Sequence, residues 1–201
     1  MKKIAIIFIV LSILNLGIFN KEAISMDSLN GKKIVMIIAS KNFRDEELQV
    51  PLAVFKEKGA DVKIASSIIG TCVGKLGAKV KSDMFYSAIN AKDFDAVVFV
   101  GGPGVFDYLN DPKAHKVAQD AAASGKILAA ICVAPAIFAN AGVLNGKNAT
   151  VFPSDEDKDI LLKGGANYTG AAVEVDGNII TADGPDSAKK FAEEIVKYLS
   201  K

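Results

Sequence analysis

Short apolar runs alternate with longer amphipathic segments from Met26 to the end of the chain. The apolar runs are typical of strands buried in a parallel sheet, and they cover residues 34–39, 61–65, 95–100 and 126–131. The other segments carry apolar residues at helical spacing, which predicts helices over residues 45–58, 111–124, 135–141, 155–163 and 186–199. This alternation predicts an α/β fold in which helices cover both faces of a mostly parallel sheet.

Two further segments predict hairpins. Residues 71–81 follow Gly70 and contain Gly74 and Gly77, which favours a hairpin or a loop excursion. Residues 173–181 place an Asp-Gly pair between two alternating runs, a strong hairpin signal. A short strand is predicted at residues 148–152. The sequence shows no repeat, low-complexity tract or linker after residue 25, so residues 26–201 are predicted to form one domain.

The first 25 residues have the pattern of an export signal. Lys2 and Lys3 precede an apolar run over residues 4–19, and Ala23 and Ser25 are small residues at the −3 and −1 positions of a cleavage site. The alternative is an uncleaved anchor, which would be the only predicted attachment of the chain to a membrane. Both interpretations predict an exported protein that is periplasmic, extracellular or held at the cell surface.

Composition excludes several classes of function. The chain has 24 Lys and Arg against 23 Asp and Glu, and the net charge of +1 gives no electrostatic case for nucleic-acid binding. The two cysteines and the single histidine offer neither zinc-ligand spacing nor a disulfide scaffold. Residues 101–104 are glycine-rich but lack the spacing of a phosphate-binding loop. The sequence therefore predicts no metal and no cofactor.

Cys132 stands between the end of a predicted strand and the start of a predicted helix. A residue at such a turn is lifted above the sheet, and the helix N–H groups point at whatever it contacts. The helix N-terminus also favours the thiolate, so a lowered thiol pKa is expected. The pattern indicates a nucleophile elbow. The alternative is a small buried residue with a packing role alone.

Other groups at the same edge of the predicted sheet complete a candidate site, because ligands of such sheets bind outside the carboxyl ends of the strands. Gly101 and Gly102 let the backbone approach the thiol, and the N–H of Gly102 can form an oxyanion hole with that of Val133. A plain tight turn is the alternative. Glu46 or Glu47 can lean toward the thiol and share a proton with it, or both can simply stabilise the helix dipole.

Three further features carry weaker indications. His115 begins a predicted helix at the same edge of the sheet and is a candidate accessory group, although a surface histidine explains it equally well. The acidic cluster at residues 155–159 is typical of a solvated helix start. No other candidate catalytic or metal-ligating residue accompanies Cys72 in the sequence.

Several motifs taken together resemble the DJ-1/PfpI superfamily, which has a class I glutamine amidotransferase-like fold. The resemblance extends from residue 32 to residue 201 and is carried by residues 43–47 with Pro51, residues 94–102, residues 129–135 and residues 168–185. It implies a flavodoxin-like three-layer sandwich with a nucleophile-elbow cysteine. Members of the superfamily form dimers or larger rings, which implies a homodimer or a homo-hexamer.

The resemblance also assigns roles to individual residues. It makes Cys132 the nucleophile and Glu47, four residues before the proline, its acidic partner. It assigns Gly101, Gly102 and Val133 to the backbone of the anion site.

The chain departs from the superfamily at both histidine positions. In the PfpI-like peptidase and deglycase branch a histidine follows the cysteine, and here that residue is Val133. In the DJ-1-like branch a histidine near the cysteine precedes a proline, and here Phe152 precedes Pro153. General-base assistance, worth about 10²–10⁴-fold, is therefore not available from either histidine.

Two functions remain open at the level of sequence. In the first, Cys132 attacks a small reactive carbonyl such as a 2-oxoaldehyde and Glu47 transfers the proton, as in a glyoxalase or deglycase. In the second, Cys132 is a peroxide-responsive thiol that oxidises to sulfinic acid in stress protection. A PfpI-like cysteine peptidase and a non-catalytic binding or chaperone module are further alternatives. A glutamine amidotransferase is excluded because no histidine follows Cys132.

Overall fold

A seven-stranded sheet lies at the centre of the protein. The computed structural model describes residues 28–201, so the predicted export signal or anchor at residues 1–25 lies outside the described residues. In chain order the strands are β1 (Lys33–Ile37), β2 (Lys41–Phe43), β3 (Asp61–Ser66), β4 (Thr71–Gly74), β5 (Lys79–Lys81), β6 (Met84–Phe85), β7 (Ala96–Phe99), β8 (Ile127–Ile131), β9 (Asn148–Ala149), β10 (Asn167–Tyr168), β11 (Val173–Asp176) and β12 (Ile179–Ala182). The central sheet has the order β11-β12-β8-β7-β1-β3-β6, and only its β11–β12 pair is antiparallel.

The five principal strands confirm the predicted flavodoxin-like order. The sequence β3-β1-β7-β8-β12 across the sheet is the 2-1-3-4-5 arrangement of that fold, with the direction of winding reversed between β1 and β7. The register pairs Ile37 with Phe99 and Phe99 with Ala130, so the carboxyl ends of β1, β7 and β8 lie level. The segments that follow these three strands therefore meet at one edge of the sheet.

The predicted apolar runs form the buried strands. Residues 34–37 of β1 and all of β7 have no solvent exposure, and β8 is buried throughout. A strand that is covered on both faces has no polar side to offer, which explains why its sequence is continuously apolar rather than alternating.

In the described part of the chain, five α-helices flank the sheet: α1 (Asp45–Glu57), α2 (Pro112–Ala123), α3 (Pro135–Asn140), α4 (Asp155–Lys163) and α5 (Ala188–Leu199). Helix α1 packs against α5, while α2 contacts α3 and α3 contacts α4. Right-handed crossovers place α1 and α2 on opposite faces, because the chain winds in opposite directions from β1 and from β7. The start of α2 follows prediction: the Asp111 side chain accepts from the Lys113 N–H at 2.8 Å, and Pro112 is the first helical residue.

Two segments differ from the sequence prediction. The predicted strand at 148–152 is reduced to β9, because the N–H of Phe152 donates to the Cys132 carbonyl instead of extending the ladder with β10. The predicted hairpin at 71–81 is present as β4 and β5, but the unpredicted β2 joins it to form a separate three-stranded sheet. Strand β2 is short and irregular, with Asn42 at φ 59°.

Within residues 28–201, no helix combines the length and apolar character needed to cross a bilayer. The same part of the chain contains no group of three His, Cys, Asp or Glu side chains arranged to hold a metal ion.

Candidate active site

Cys132 occupies a strained turn directly after β8. Its φ of 62° lies in the left-handed region, which costs a residue with a Cβ about 1–2 kcal/mol. Its N–H donates to the Ala182 carbonyl at 2.9 Å, and its carbonyl accepts from the Phe152 N–H at 2.9 Å. Both of its backbone polar groups are therefore fixed, and the surrounding structure imposes the turn. The elbow geometry expected from the sequence is present.

Helix α1 carries Glu47 to the same place. Glu47 is the third residue of α1, has no solvent exposure, and its Oε2 accepts from the Gly101 N–H at 3.0 Å. Its other oxygen, Oε1, is buried and has no hydrogen-bond partner in the described part of the chain. The carboxyl group lies close enough to the Cys132 thiol for each group to shift the pKa of the other. Of the two glutamates considered, the structure brings Glu47 to the thiol, whereas Glu46 pairs with Arg44.

The two glycines after β7 are required by close contacts. A Cβ on Gly101 would lie 2.5 Å from Glu47 Oε2 and 2.6 Å from Cys132 Cβ. Gly102 has φ 102°, and a Cβ there would collide with the Arg44 backbone. A larger residue at either position would push the carboxyl, the thiol and α1 apart. The glycine pair is thus more than a tight turn, because it sets the spacing of the site.

The backbone N–H groups divide into two roles. Those of Gly102 and Val133 are directed at the Cys132 sulfur, as expected for an oxyanion hole. The N–H of Gly101, which the resemblance assigned to the anion site, is instead taken by Glu47. Gly101 is therefore a partner of the carboxyl group and does not donate to a ligand.

Burial dominates the electrostatics of the pair. It raises the pKa of Glu47 from an ordinary 4.5 to about 7, against the opposing effects of Cys132, the Gly101 N–H and Arg44. Burial, followed by the charge of Glu47, raises the pKa of the Cys132 thiol to about 12, while the Gly102 and Val133 N–H groups lower it. The sequence predicted a lowered thiol pKa from the helix N-terminus alone, and burial reverses that direction.

The two groups must be treated as one titrating unit. The first proton of the pair leaves near pH 7, and the second is held far into the alkaline range because a second negative charge would be buried beside the first. Near neutrality the singly protonated pair has its proton on the carboxylate or on the sulfur. The form with a protonated Glu47 contains a thiolate.

A cavity of about 200 Å³ opens over the Cys132 side chain. Its walls are apolar and are formed by Pro103, Phe106, Phe152 and Pro185. The charged side chains that line it, apart from Glu47, are the cations Arg44 and Lys75. The cavity thus combines a thiol, a carboxyl group, two backbone N–H donors, apolar walls and two cations.

Three of these cavity residues were not identified from the sequence, namely Arg44, Lys75 and Phe106. Lys75 lies in the 71–81 hairpin, whose contact with the site depends on pairing between distant segments. The only local signal was the clustering of glycines in that hairpin, which indicates a tight turn but not its location.

Other predicted candidates lie elsewhere. His115 is not among the cavity-lining residues, and its Nε2 donates to the Leu109 carbonyl at 2.9 Å. Cys72 is buried in β4. The acidic cluster at residues 155–159 forms the first turns of α4, capped by Ser154, as its sequence pattern predicted.

Comparison with known proteins identifies related sequences over almost all of the described chain. The model of the DJ-1/PfpI family matches residues 32–198. The uncharacterized protein MJ0967 of Methanocaldococcus jannaschii is 39% identical over 100% of this chain and 98% of its own length. The deglycase PH1704 of Pyrococcus horikoshii is 36% identical over 82% of this chain and 98% of its own.

A solved structure shows the same architecture. The ThiJ/PfpI domain protein from Brachyspira murdochii superposes with a TM-score of 0.80 at 37% identity, covering 83% of this chain and 95% of that one.

Proposed function

Because this chain belongs to the DJ-1/PfpI family, we propose that it is an exported, cysteine-dependent enzyme acting on small reactive carbonyls in stress protection. One observation carries the proposal: the elbow thiol shares a cavity with a buried carboxyl group whose pKa is raised to about 7. Addition to a carbonyl needs a nucleophile beside an acid, and the singly protonated pair supplies both when its proton lies on Glu47.

The first chemical step follows from the geometry. The thiolate of Cys132 forms a bond to the aldehyde carbon, and the π electrons of the C=O bond move to oxygen. The N–H groups of Gly102 and Val133 stabilise the negative charge on that oxygen. Glu47 then gives its proton to the oxygen, which leaves a hemithioacetal and a carboxylate.

A 2-oxoaldehyde can continue from this intermediate without an external oxidant. Glu47, now a base, moves the proton from the former aldehyde carbon to the neighbouring carbonyl carbon through an enediol. The first carbon is thereby oxidised to a thioester and the second is reduced to an alcohol. Water hydrolyses the thioester, which releases a 2-hydroxy acid and restores the thiol.

A second candidate is a peroxide-responsive thiol. Within residues 28–201, it is favoured by a cavity lining without histidine and by the Oε1 of Glu47, which has no hydrogen-bond partner. The Cys132 thiolate would displace water from two successive peroxide molecules, and a protonated Glu47 would donate to the resulting sulfinate. Rapid oxidation by peroxide without any turnover of carbonyls would support this candidate over the first.

The test is consumption of methylglyoxal by the full chain, with formation of lactate followed by NMR. We expect turnover that disappears in Cys132→Ser and falls about 10²–10⁴-fold in Glu47→Gln, because the glutamine retains an acceptor for Gly101 but carries no transferable proton. Lys79→Gln, a change on β5 outside the cavity, is the control. Turnover that survives in Cys132→Ser excludes the proposed mechanism.

A further inference from the structure

The cavity presents positive charge at its mouth, and this charge has consequences for the substrate. We propose that the site selects anionic electrophiles over neutral ones, so that its preferred carbonyl compound also carries a carboxylate. Lys75 and Arg44 would hold the carboxylate while the carbonyl oxygen lies against the N–H groups of Gly102 and Val133. The inference rests on the proposed role of Cys132 and specifies the substrate class of that site.

Backbone hydrogen bonds hold the Lys75 segment beside the cavity. Its N–H donates to the Phe43 carbonyl at 2.9 Å, and the N–H groups of Leu76 and Ala78 donate to the Asp45 carboxylate at 2.8 and 2.7 Å. These bonds fasten the tip of the hairpin to the start of α1. These bonds thus fix the backbone position of Lys75, and its exposed side chain extends from that point.

The charge of Lys75 is not compensated by a direct ion pair. Among residues 28–201 no carboxylate lies within ion-pair distance of its ammonium group. The nearby Asp45 carboxylate is buried behind the hairpin and accepts two backbone N–H groups, so it does not line the cavity. Apart from the Cys132–Glu47 pair, the described cavity lining therefore contains no acidic side chain to compensate this ammonium group.

Arg44 contributes a second, partly compensated cation. Its guanidinium binds both carboxylate oxygens of Glu46, with Nε–Oε2 and Nη2–Oε1 distances of 2.9 and 3.1 Å. Arg44 lines the cavity and Glu46 does not. The cationic member of this pair therefore faces the ligand, and removal of its partner would strengthen the field inside the cavity.

The size of the cavity limits the ligand to a small molecule. A volume of about 200 Å³ corresponds to roughly six or seven water molecules at their share of liquid volume. A two- to four-carbon acid bearing an aldehyde or ketone fits this space. Glyoxylate is the smallest probe of the class.

Two alkylating reagents of nearly the same size separate the effect of charge from that of reactivity. Iodoacetate is an anion and iodoacetamide is neutral, and both form an S–C bond as iodide leaves. The rate at Cys132 is measured with each reagent by peptide mass spectrometry on the full chain at pH 8. The ratio of the iodoacetate rate to the iodoacetamide rate is then divided by the same ratio for the urea-unfolded chain, which removes the intrinsic difference between the reagents.

We expect a normalised ratio of about three or more, since one unit charge about 7 Å away in water changes a rate roughly threefold. The ratio should fall about threefold in Lys75→Gln, which removes the charge, and persist in Lys75→Arg, which keeps it. It should rise in Glu46→Gln, which leaves Arg44 without its partner, and decline with added salt, which screens the charges. Lys79→Gln removes a hairpin lysine outside the cavity and should leave the ratio unchanged. Glyoxylate should protect Cys132 at lower concentration than neutral glycolaldehyde.

The outcomes distinguish this inference from the function on which it rests. A Cys132 that reacts with neither reagent overturns both. A reactive Cys132 with a normalised ratio of one or less, or with a ratio that Lys75→Gln leaves unchanged, overturns the anionic preference alone.

Discussion

At the scale of single residues, the site depends on one proton shared by two acids. Glu47 and Cys132 come from different elements and are buried together, so neither titrates independently of the other. A thiolate near neutral pH requires that the carboxyl group hold the proton that the sulfur has lost. A charged Glu47 raises the pKa of the thiol, so a permanently charged residue at this position would keep the thiol protonated.

The pH dependence of alkylation at Cys132 tests this coupling. The iodoacetamide rate should rise with an apparent pKa near 7, the first proton loss of the pair. In Glu47→Gln the buried thiol titrates alone, and we expect its midpoint to move upward by more than about one pH unit, above the ordinary thiol value of ~8.5. Identical profiles for the two proteins would show that the thiol is ionised without help from Glu47. Glu57→Gln serves as the control because it removes an exposed carboxylate from the last turn of the same helix, outside the cavity.

At the scale of elements, the start of α1 connects the elbow to the small sheet. Asp45 binds the hairpin tip through two N–H groups, Arg44 and Glu47 face the cavity, and the Arg44 N–H donates to the Gly101 carbonyl at 2.9 Å. Gly74 permits this contact, because a Cβ there would collide with the Asp45 carboxylate. The acidic residues that open α1 have specific partners here, which goes beyond stabilising the helix dipole.

Asp45→Ala should therefore detach the hairpin. It leaves the Leu76 and Ala78 N–H groups without their acceptor, at a cost of about 1–3 kcal/mol in the free energy of unfolding. Urea unfolding measures this loss, and limited trypsin digestion should cut first at Lys75, Lys79 or Lys81. Asp155→Ala removes an exposed carboxylate from the first turn of α4 and should change neither result. An unaltered digestion pattern in Asp45→Ala would contradict the proposed anchoring.

The elements were predictable wherever a local pattern determines them. Continuous apolar runs located β1, β7 and β8, and an Asp-Pro pair located the start of α2. The elbow at Cys132 followed from a strand that meets a helix without a spacer. Strand β2 was missed because its three residues pair irregularly with residues of β4 more than thirty positions later. Lys75 was missed for the same reason, since its place in the cavity depends on contacts between segments that no local pattern encodes.

At the scale of the whole molecule, the buried carboxyl group links stability to pH. The unfolded chain releases the Glu47 proton near pH 4.5, whereas the folded chain holds it to about pH 7. Between these values the folded state binds more protons, so the contribution of Glu47 to stability is complete below pH 4.5 and is lost as the pH rises through 7. The shift corresponds to roughly 3 kcal/mol.

Urea unfolding of the full chain between pH 4.5 and 8 measures this linkage. The free energy of unfolding of Glu47→Gln, relative to the unaltered protein, should increase by roughly 3 kcal/mol across the range, because the amide does not ionise. Asp111 and Asp176, whose pKa values are lowered, are ionised in both the folded and the unfolded state over this range and add little to the trend. A constant difference between the two proteins would show that Glu47 is not neutral in the native state.

The backbone hydrogen bonds that fix the Cys132 turn also determine when the thiol can become reactive during folding. The residue is fastened to Ala182 and Phe152, and its partners come from α1 and from the loop after β7. Four stretches spread over more than 130 residues must be in place before the sulfur has its acid and its N–H donors. Contacts of such long range form late, after most loop closures have occurred. The nascent chain thus carries only an ordinary thiol, and the return of Cys132 reactivity in a refolding experiment would report completion of the fold.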